Sequence, residues 1–576
     1  MTNQGQNTSD LSDEIPAEEN FIEQAEYIAR DRFVSLAAEH PYESDIMKKL
    51  MGGGAKLLIG PRGCGKSTLM RKAYFNLLDD QTLSTLPVYV NFKLALKMEP
   101  YYVKGPNASY WFRAWLVMKI LRSLREAISE FVDFEVPEGL PEEKKIDSII
   151  SALEANSADG GQIEQFNIHF LGSILDELLS RNNLRRCVIL IDDAAHSFSE
   201  KQQEDFFDLF RAIKSRNVSP KAAIYPGITS HSANFHVGHD AEQIDAWAAP
   251  SGEQYEGFMI SLARKRFEGT GIDIISKNED DIKFLAYASF GIPRGFLGML
   301  RSIFNSPESY INSAGKLNKT KILKLSRMGR DMSHAVYDSL NAKLPSYKSY
   351  VENGSSLYQA ILSQIRAFNN GKTLEKQGTQ FAIKSPVGAD LEKIFGFLQY
   401  SGLIMESGSI LKGEKGSFLH FQVHIGDLTT ENILVGNRTK SIDSFLTVIR
   451  APKYQAWPRL TTSSLLEAAE ITTDDFTLAL PLCHACSTPR SNPDAKFCSN
   501  CGTQLKPSST YEALVKQDIS TLPISSRMEK RIKDNSNIRR IRDILMDSSK
   551  ETLLGIPYIG KVRAQTILGY AEEYVS

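Results

Sequence analysis

Residues 60–68 read GPRGCGKST. The apolar run AKLLI at 55–59 precedes them and has the length of a buried strand, and a helical pattern opens at their end. This is the spacing G-x-x-x-x-G-K-[ST], carried by Gly60, Gly65, Lys66 and Ser67. Between a strand and a helix, such a loop can wrap its N–H groups around phosphate, and the helix start adds its positive end. The loop predicts binding of ATP by Gly60, Pro61, Arg62, Gly63, Cys64, Gly65, Lys66, Ser67 and Thr68. Lys66 is expected to reach the β- and γ-phosphates and Ser67 to hold Mg²⁺. Cys64 reads as a small residue tolerated inside the loop.

A second segment extends the reading. CVILIDDAAHS at 187–197 is a buried-type strand ending in two acids, about 125 residues beyond the loop. Asp192 is expected to hold Mg²⁺ through water, and Asp193 to polarise the attacking water. Many ATPases with this pair of motifs carry Glu at the second position; Asp is one methylene shorter, so hydrolysis is expected to be slow or to need repositioning. Further strands are expected at 86–94 and 221–228, with helical patterns at 109–131, 141–156, 166–182 and 200–216. Apolar strands spaced by helices predict an α/β fold with a parallel sheet covered on both faces. The pattern also predicts helix over 21–51, interrupted at Pro41, mainly helix from 253 to 345, and then helices followed by a Gly-rich hairpin, IMESGSILKGEKGSFLHFQVHI, at 404–425.

With these motifs, the chain resembles the AAA+ ATPases, especially the origin-recognition initiator branch and the related STAND switch ATPases. AAIYPGITS at 222–230 is similar to the sensor-1 strand, and the resemblance puts Thr229 or Ser230 near the γ-phosphate. ASFGIPRGFLGML at 288–300 is similar to the sensor-2 helix, so that Arg294 would swing a helical lid onto the nucleotide. The resemblance spans about residues 30–345 and departs in a long helical insertion near 100–180. No arginine finger stands out; Arg264 and Arg266 are candidates. The helices and hairpin after the lid resemble a winged helix, which initiators also carry.

Cys483, Cys486, Cys498 and Cys501 form C-x2-C-x11-C-x2-C. Two turn-linked pairs can close a tetrahedral thiolate shell around structural zinc (Zn²⁺), with an iron–sulfur cluster as the alternative. KFCSNCGTQL resembles a zinc ribbon, with Gly502 permitting a tight turn and His484 read as solvated. LLGIPYIGKVRAQTIL at 553–568 reads as helix, turn, helix, and resembles a helix-hairpin-helix like that of the RNA polymerase alpha C-terminal domain. Tyr558 stands where the usual hairpin has its first glycine. Gly560, Lys561 and Arg563 would point N–H groups and positive charge at a phosphate of double-stranded DNA. Residues 522–576 hold ten Lys and Arg against seven Asp and Glu. A protein-docking hairpin is the other reading.

Composition bounds these expectations. The 576 residues are 42% hydrophobic and 24% charged, with a net charge of −2. That excludes a wholly basic nucleic-acid coat and a wholly acidic disordered activator. No apolar run of membrane-spanning length occurs. The polar start, with five acids and no Lys or Arg in the first twenty residues, lacks the features of a secretory signal, so a cytoplasmic location is expected. The expected organisation is multidomain: a solvated tail at 1–20, a P-loop ATPase core at 21–252, a helical lid at 253–345 and a winged-helix-like domain at 346–435. A connector at 436–480, a zinc ribbon at 481–506 and an all-α helix-hairpin-helix domain at 507–576 follow. By the resemblance this is an ATP-driven switch that engages DNA in replication, transposition or defence against foreign DNA, self-associating or working with a nuclease, transposase or other effector. The alternatives are an ATP-gated scaffold whose C-terminal modules bind protein, and a loader of a separate nuclease.

Overall fold

The computed structural model describes residues 24–576 apart from 81, 83, 105–106, 195–198, 268–269, 412–415, 436–439, 452–456, 481, 484, 491–494 and 506–508. The acidic tail at 1–20 and His484 therefore lie outside the described residues.

Five strands make the first sheet: β1 Lys56–Ile59, β2 Thr85–Asn91, β3 Arg186–Asp192, β4 Val218–Ile224 and β5 Glu242–Asp245. Their order is β2-β3-β4-β1-β5, and every pairing is parallel. Alternate residues feed opposite layers. Leu58, Val188, Leu190 and Ala223 join one apolar cluster, while Leu57, Ile189, Ile191 and Ala222 join the other. Both faces are thus dry, which is why these strands read as continuous apolar runs rather than alternating ones. The insertion helices Ala108–Ser129, Glu143–Glu154 and Ile168–Arg181 pack on the second face, close to where helical periodicity put them.

Among the described residues of 21–51, a short 3-10 turn at Ala25–Tyr27 and helix Arg30–Leu36 precede Pro41 and helix Glu43–Met51 follows it. One expectation is corrected here. The expected strand at 221–228 runs from Val218 to Ile224, because Pro226 and Gly227, the latter at φ 71°, turn the chain away. β5, a four-residue strand with only Ile244 buried, carried too little apolar signal to be foreseen.

Helices Tyr255–Arg264, Thr270–Lys277, Glu279–Ala288, Pro293–Phe304 and Lys319–Lys343 follow the sheet. The helices that meet at the site are labelled α1 Lys66–Asp79, α2 Pro293–Phe304, α3 Lys319–Lys343 and α4 Lys561–Val575. Beyond α3, helix Lys348–Asn369, strand β6 Gln380–Lys384, helix Ala389–Tyr400 and the hairpin β7 Ile404–Leu411 with β8 Ser417–Val423 form a second unit. Its sheet order is β7-β8-β6-β9, where β9 is Arg459–Leu460. Residues 436–480 are therefore not merely a connector: β9 pairs parallel with β6, and Phe445 stacks on Phe284 at 5.5 Å.

This unit is fastened to the rest of the molecule. Asp427, fully buried, accepts from the Tyr358 hydroxyl at 2.7 Å and faces Arg330 Nε at 2.9 Å and His334 Nε2 at 3.0 Å, both on α3. Gly227 and Gly396 touch backbone to backbone; a Cβ at Gly227 would come within 2.1 Å of the Gly396 carbonyl carbon. Among the described residues no helix is long and apolar enough to cross a membrane.

Candidate functional site

The phosphate loop leaves β1 at Gly60 and enters α1 at Lys66. Gly63 and Gly65 take φ of 82° and 104°, a region that side chains other than glycine enter at a cost of about 1–2 kcal/mol. Gly60 is held to glycine by packing, since a Cβ there would lie 2.6 Å from Cys64 Sγ. Cys64 itself is 2% exposed, and burial pushes its thiol pKa up, so it is an inert packing residue. Gly60 and Pro61 lie behind the loop. Their carbonyls accept from Lys66 Nζ at 2.7 and 2.9 Å, which parks the ammonium in the loop, 3.7 Å from the centre of the Tyr225 ring.

Strand order explains that ring. β4 is inserted between β1 and β3. Tyr225, the residue after β4, therefore projects between the loop after β1 and the acids after β3, and its hydroxyl donates to Asp193 Oδ1 at 3.0 Å. Asp193 is at φ 51°, a turn that ends β3 and aims the carboxyl into the pocket. Burial first, then the charges of Asp192 and Glu26, raise its pKa above the ordinary carboxylate range. Asp192 accepts from the Tyr89 hydroxyl at 2.7 Å and from the Asp193 N–H at 3.1 Å. With Glu26 the two acids form a cluster whose carboxylate oxygens lie within 4.8 Å of one another. Such hard oxygen donors fit Mg²⁺.

Arg62, Gly63, Cys64, Gly65, Lys66, Ser67, Thr68, Asp193 and Arg294 line one pocket. Its other wall is apolar, from Leu36, Ala37 and Ala38 ahead of β1 and Phe258 and Leu262 in the following helices. A polar, cationic floor beside an apolar wall fits a nucleotide, with phosphates on the loop and base on the wall. Arg294 is the second residue of α2 and reaches the loop because its N–H lies 3.4 Å from the Gly63 carbonyl. Arg266 lines the same pocket, whereas Arg264 pairs with Glu279 at 3.4 Å away from it.

One expected residue is not brought in. Thr229 does not line the pocket; its hydroxyl donates to the Tyr225 carbonyl at 2.7 Å and accepts from the Tyr225 N–H at 3.1 Å. It buttresses the turn that aims Tyr225, so the polar tip presented at this strand end is the phenol. The structure also adds residues that motif spacing did not mark, namely Glu26, Tyr225 and Lys93. Most unexpectedly it adds Glu573, which lies near the end of α4. Glu26, Lys93 and Tyr225 fall in expected helices or strands, but nothing in their local pattern marks them as site residues.

The cysteines form a separate centre. Cys483 and Cys501 Sγ lie 3.6 Å apart, and Cys486 and Cys498 Sγ 3.5 Å apart. A tetrahedron with metal–sulfur bonds of about 2.3 Å has edges of about 3.8 Å, so the thiols fit zinc. The two halves repeat one another. Ser487 N–H donates to the Cys483 carbonyl at 2.8 Å and Gly502 N–H to that of Cys498 at 3.0 Å, with φ of 57° and 68°. Thr488 and Thr503 place their Oγ1 atoms 3.2 Å from Cys486 and Cys501 Sγ. Among the described residues, Leu505 is the buried apolar side chain that joins Cys483 and Cys498 in this small core.

At the far end of the chain, Glu551–Leu554 is one helical turn, and α4 starts after Gly560. The residue at left-handed φ in this turn is Tyr558, at 65° and 78% exposed, under Arg531 at 4.8 Å; Gly560 sits at φ −84°. Lys561 and Arg563 are exposed. They are not near the pocket lined by the phosphate loop, which meets the opposite end of α4.

Residues 143–379 match the model of the ORC-CDC6-like family. This span is less than half of the chain. It begins beyond the phosphate loop and includes Asp192, Asp193, Tyr225 and Arg294. Among solved structures, the chain is similar to Cdc6p from Pyrobaculum aerophilum at 12% identity and a TM-score of 0.30, covering 76% of this chain and 97% of that one. The ORC2 protein of Aeropyrum pernix, solved as ADPNP-ADP complexes, is similar at 11% identity and a TM-score of 0.31, over 71% of this chain and 93% of that one. No curated protein shows a significant match to the sequence.

Proposed function

We propose that the chain is an ATP-binding and ATP-hydrolysing switch of the AAA+ initiator kind that engages double-stranded DNA through its C-terminal modules. The observation that carries this reading is the meeting of Lys66, Asp193 and Arg294, from three separated segments, in one pocket with an apolar wall. In this reading the loop amides and Lys66 bind the phosphates, Ser67 and Asp192 hold Mg²⁺, Asp193 orients the water, and Arg294 carries the state of the nucleotide into α2. Bound Mg²⁺ would neutralise charge developing on the phosphate oxygens. The hydroxyl of Tyr225 restrains Asp193, and the apolar wall excludes solvent from the base.

The same reading takes residues 346–435 as a winged-helix-like domain, 481–506 as a zinc ribbon and 507–576 as a helix-hairpin-helix domain. Zinc held by the four thiols would be structural, because all four positions are filled by protein. Gly560, Lys561 and Arg563 would contact DNA phosphates, and binding would be weakly sequence-specific and salt-sensitive. A protein-binding role for 507–576 is favoured by one observation, the way this region already docks on the ATPase core through Leu96 and Glu99.

Titration calorimetry with ATP and Mg²⁺ tests the pocket: heat of binding supports it, and no heat removes it. Mobility of a duplex at two salt concentrations tests the hairpin. Charge reversal of Lys561 and Arg563 should weaken a salt-sensitive shift; a duplex that never shifts favours the protein-binding role.

A further inference from the structure

The last turn of α4 puts a carboxylate where the phosphate pocket keeps its arginines. Arg62 Nε donates to Glu573 Oε1 at 3.0 Å, and Arg294 forms an ion pair with the same oxygen. The backbone is gripped too: Arg62 Nη2 and Lys343 Nζ donate to the Glu573 carbonyl at 2.8 and 3.2 Å. Next to it, Glu572 accepts from the Tyr27 hydroxyl at 2.6 Å and pairs with Lys93 at 3.2 Å. Burial pushes the Glu573 carboxyl pKa up, but the charges of Arg294, Arg62 and Lys93 outweigh it and hold the group well below its ordinary value. The carboxylate is therefore ionised, and it occupies cations that a phosphate tail would otherwise engage.

The helix is delivered there by a second anchor, remote from the pocket. Glu99, at the helical end of the segment after β2, accepts from Ser509 Oγ at 2.8 Å and from the N–H groups of Thr510 and Tyr511 at 3.1 and 2.8 Å. It thus caps a helix of the C-terminal region from another part of the chain. Leu96 enters the apolar cluster of that region. The other end of α4, about 20 Å away along the helix axis, carries Gly560, Lys561 and Arg563.

We propose that Glu573 is a built-in occupant of the phosphate subsite, so that docking of α4 and binding of a nucleoside triphosphate compete, and that the triphosphate expels the C-terminal region from the pocket. The inference rests on the nucleotide reading of the pocket and adds its regulation. A triphosphate brings several negative charges to a site that already holds Asp192, Asp193 and Glu26; with Glu573 in place, like charges would share the same two guanidinium groups. Apparent affinity is lowered by the fraction of molecules in the docked state. Release from the pocket would move the whole helix, including the end that carries Lys561 and Arg563, which links the nucleotide to whatever those residues contact.

The test uses the full chain, ATP with Mg²⁺, and two variants. Glu573→Gln removes the charge from the pocket. Glu99→Gln weakens the remote anchor without touching the pocket. Both should bind ATP more tightly, Glu573→Gln by about tenfold and Glu99→Gln by less. Amide exchange across 561–575 should rise in both variants before nucleotide is added, and in the unaltered protein upon adding it. Equal affinity in all three proteins overturns the latch and leaves nucleotide binding standing. A gain confined to Glu573→Gln, with exchange at 561–575 unchanged throughout, reduces the effect to charge removal and also overturns it. No ATP binding in any of the three would instead remove the nucleotide reading, and the latch would fall with it.

Discussion

The four thiols come from 19 consecutive residues, and each knuckle is closed by backbone hydrogen bonds between residues four or five positions apart. The phosphate pocket takes side chains from Gln24 to Glu573. Both are clusters of charged or chargeable groups, yet one is assembled by local turns and the other by strand order and domain docking. Local assembly repeats: the two knuckles are near copies, down to Thr488 and Thr503. Long-range assembly does not, and every wall of the pocket belongs to an element with its own packing constraints. A change in the knuckles should therefore stay local, whereas a change in the pocket should be felt across the chain.

The largest expected effect lies in the knuckles. Cys498→Ser should release zinc, because structural zinc supplies on the order of 10 kcal/mol of folding free energy to so small a unit. Metal analysis and amide exchange across 482–505 should both change, while ATP affinity should not; a coupled loss of ATP binding would break the contrast between the two sites. Lys66→Ala should weaken ATP binding about 100-fold in calorimetry, since it removes a charge-assisted contact and the group that ties Gly60 and Pro61 together. Zinc content should be unchanged.

Asp193→Asn should slow hydrolysis about 100-fold while sparing binding, in a steady-state phosphate-release assay paired with calorimetry. Loss of a charge beside Asp192 and Glu26 should leave affinity equal or slightly higher. Unchanged hydrolysis would mean that another group orients the water, with Glu26 a further acid of the same cluster. The smallest effect is expected at the turn before α4. Tyr558→Gly relieves a left-handed cost of about 1–2 kcal/mol, offset by glycine's entropy and by the lost contact with Arg531. Chemical denaturation should show a gain of under about 1 kcal/mol.

Much of the first sheet was readable because its strands are apolar on both faces and its helices are periodic. β5 and β9 were not, being four and two residues long and largely exposed. In the site, the glycines, Lys66 and the two acids were legible because they sit in fixed register with a strand end. Tyr225 was not, although it lies within the strand foreseen at 221–228. Its place depends on β4 being inserted between β1 and β3, and strand order leaves no local trace. Thr229 attracted the reading because a hydroxyl in such a loop suits phosphate, but the turn at Pro226–Gly227 spends it on backbone hydrogen bonds.

The sequence by itself determined the loop conformation and the thiol shell. In both, the chemistry is written by neighbouring residues whose φ values and spacing admit few geometries. Only the tertiary structure decided that Glu573, more than 500 residues from Arg62, completes the pocket. Ion pairs across such a distance depend on how whole units dock, and docking is set by shape and buried area rather than by any short run of residues.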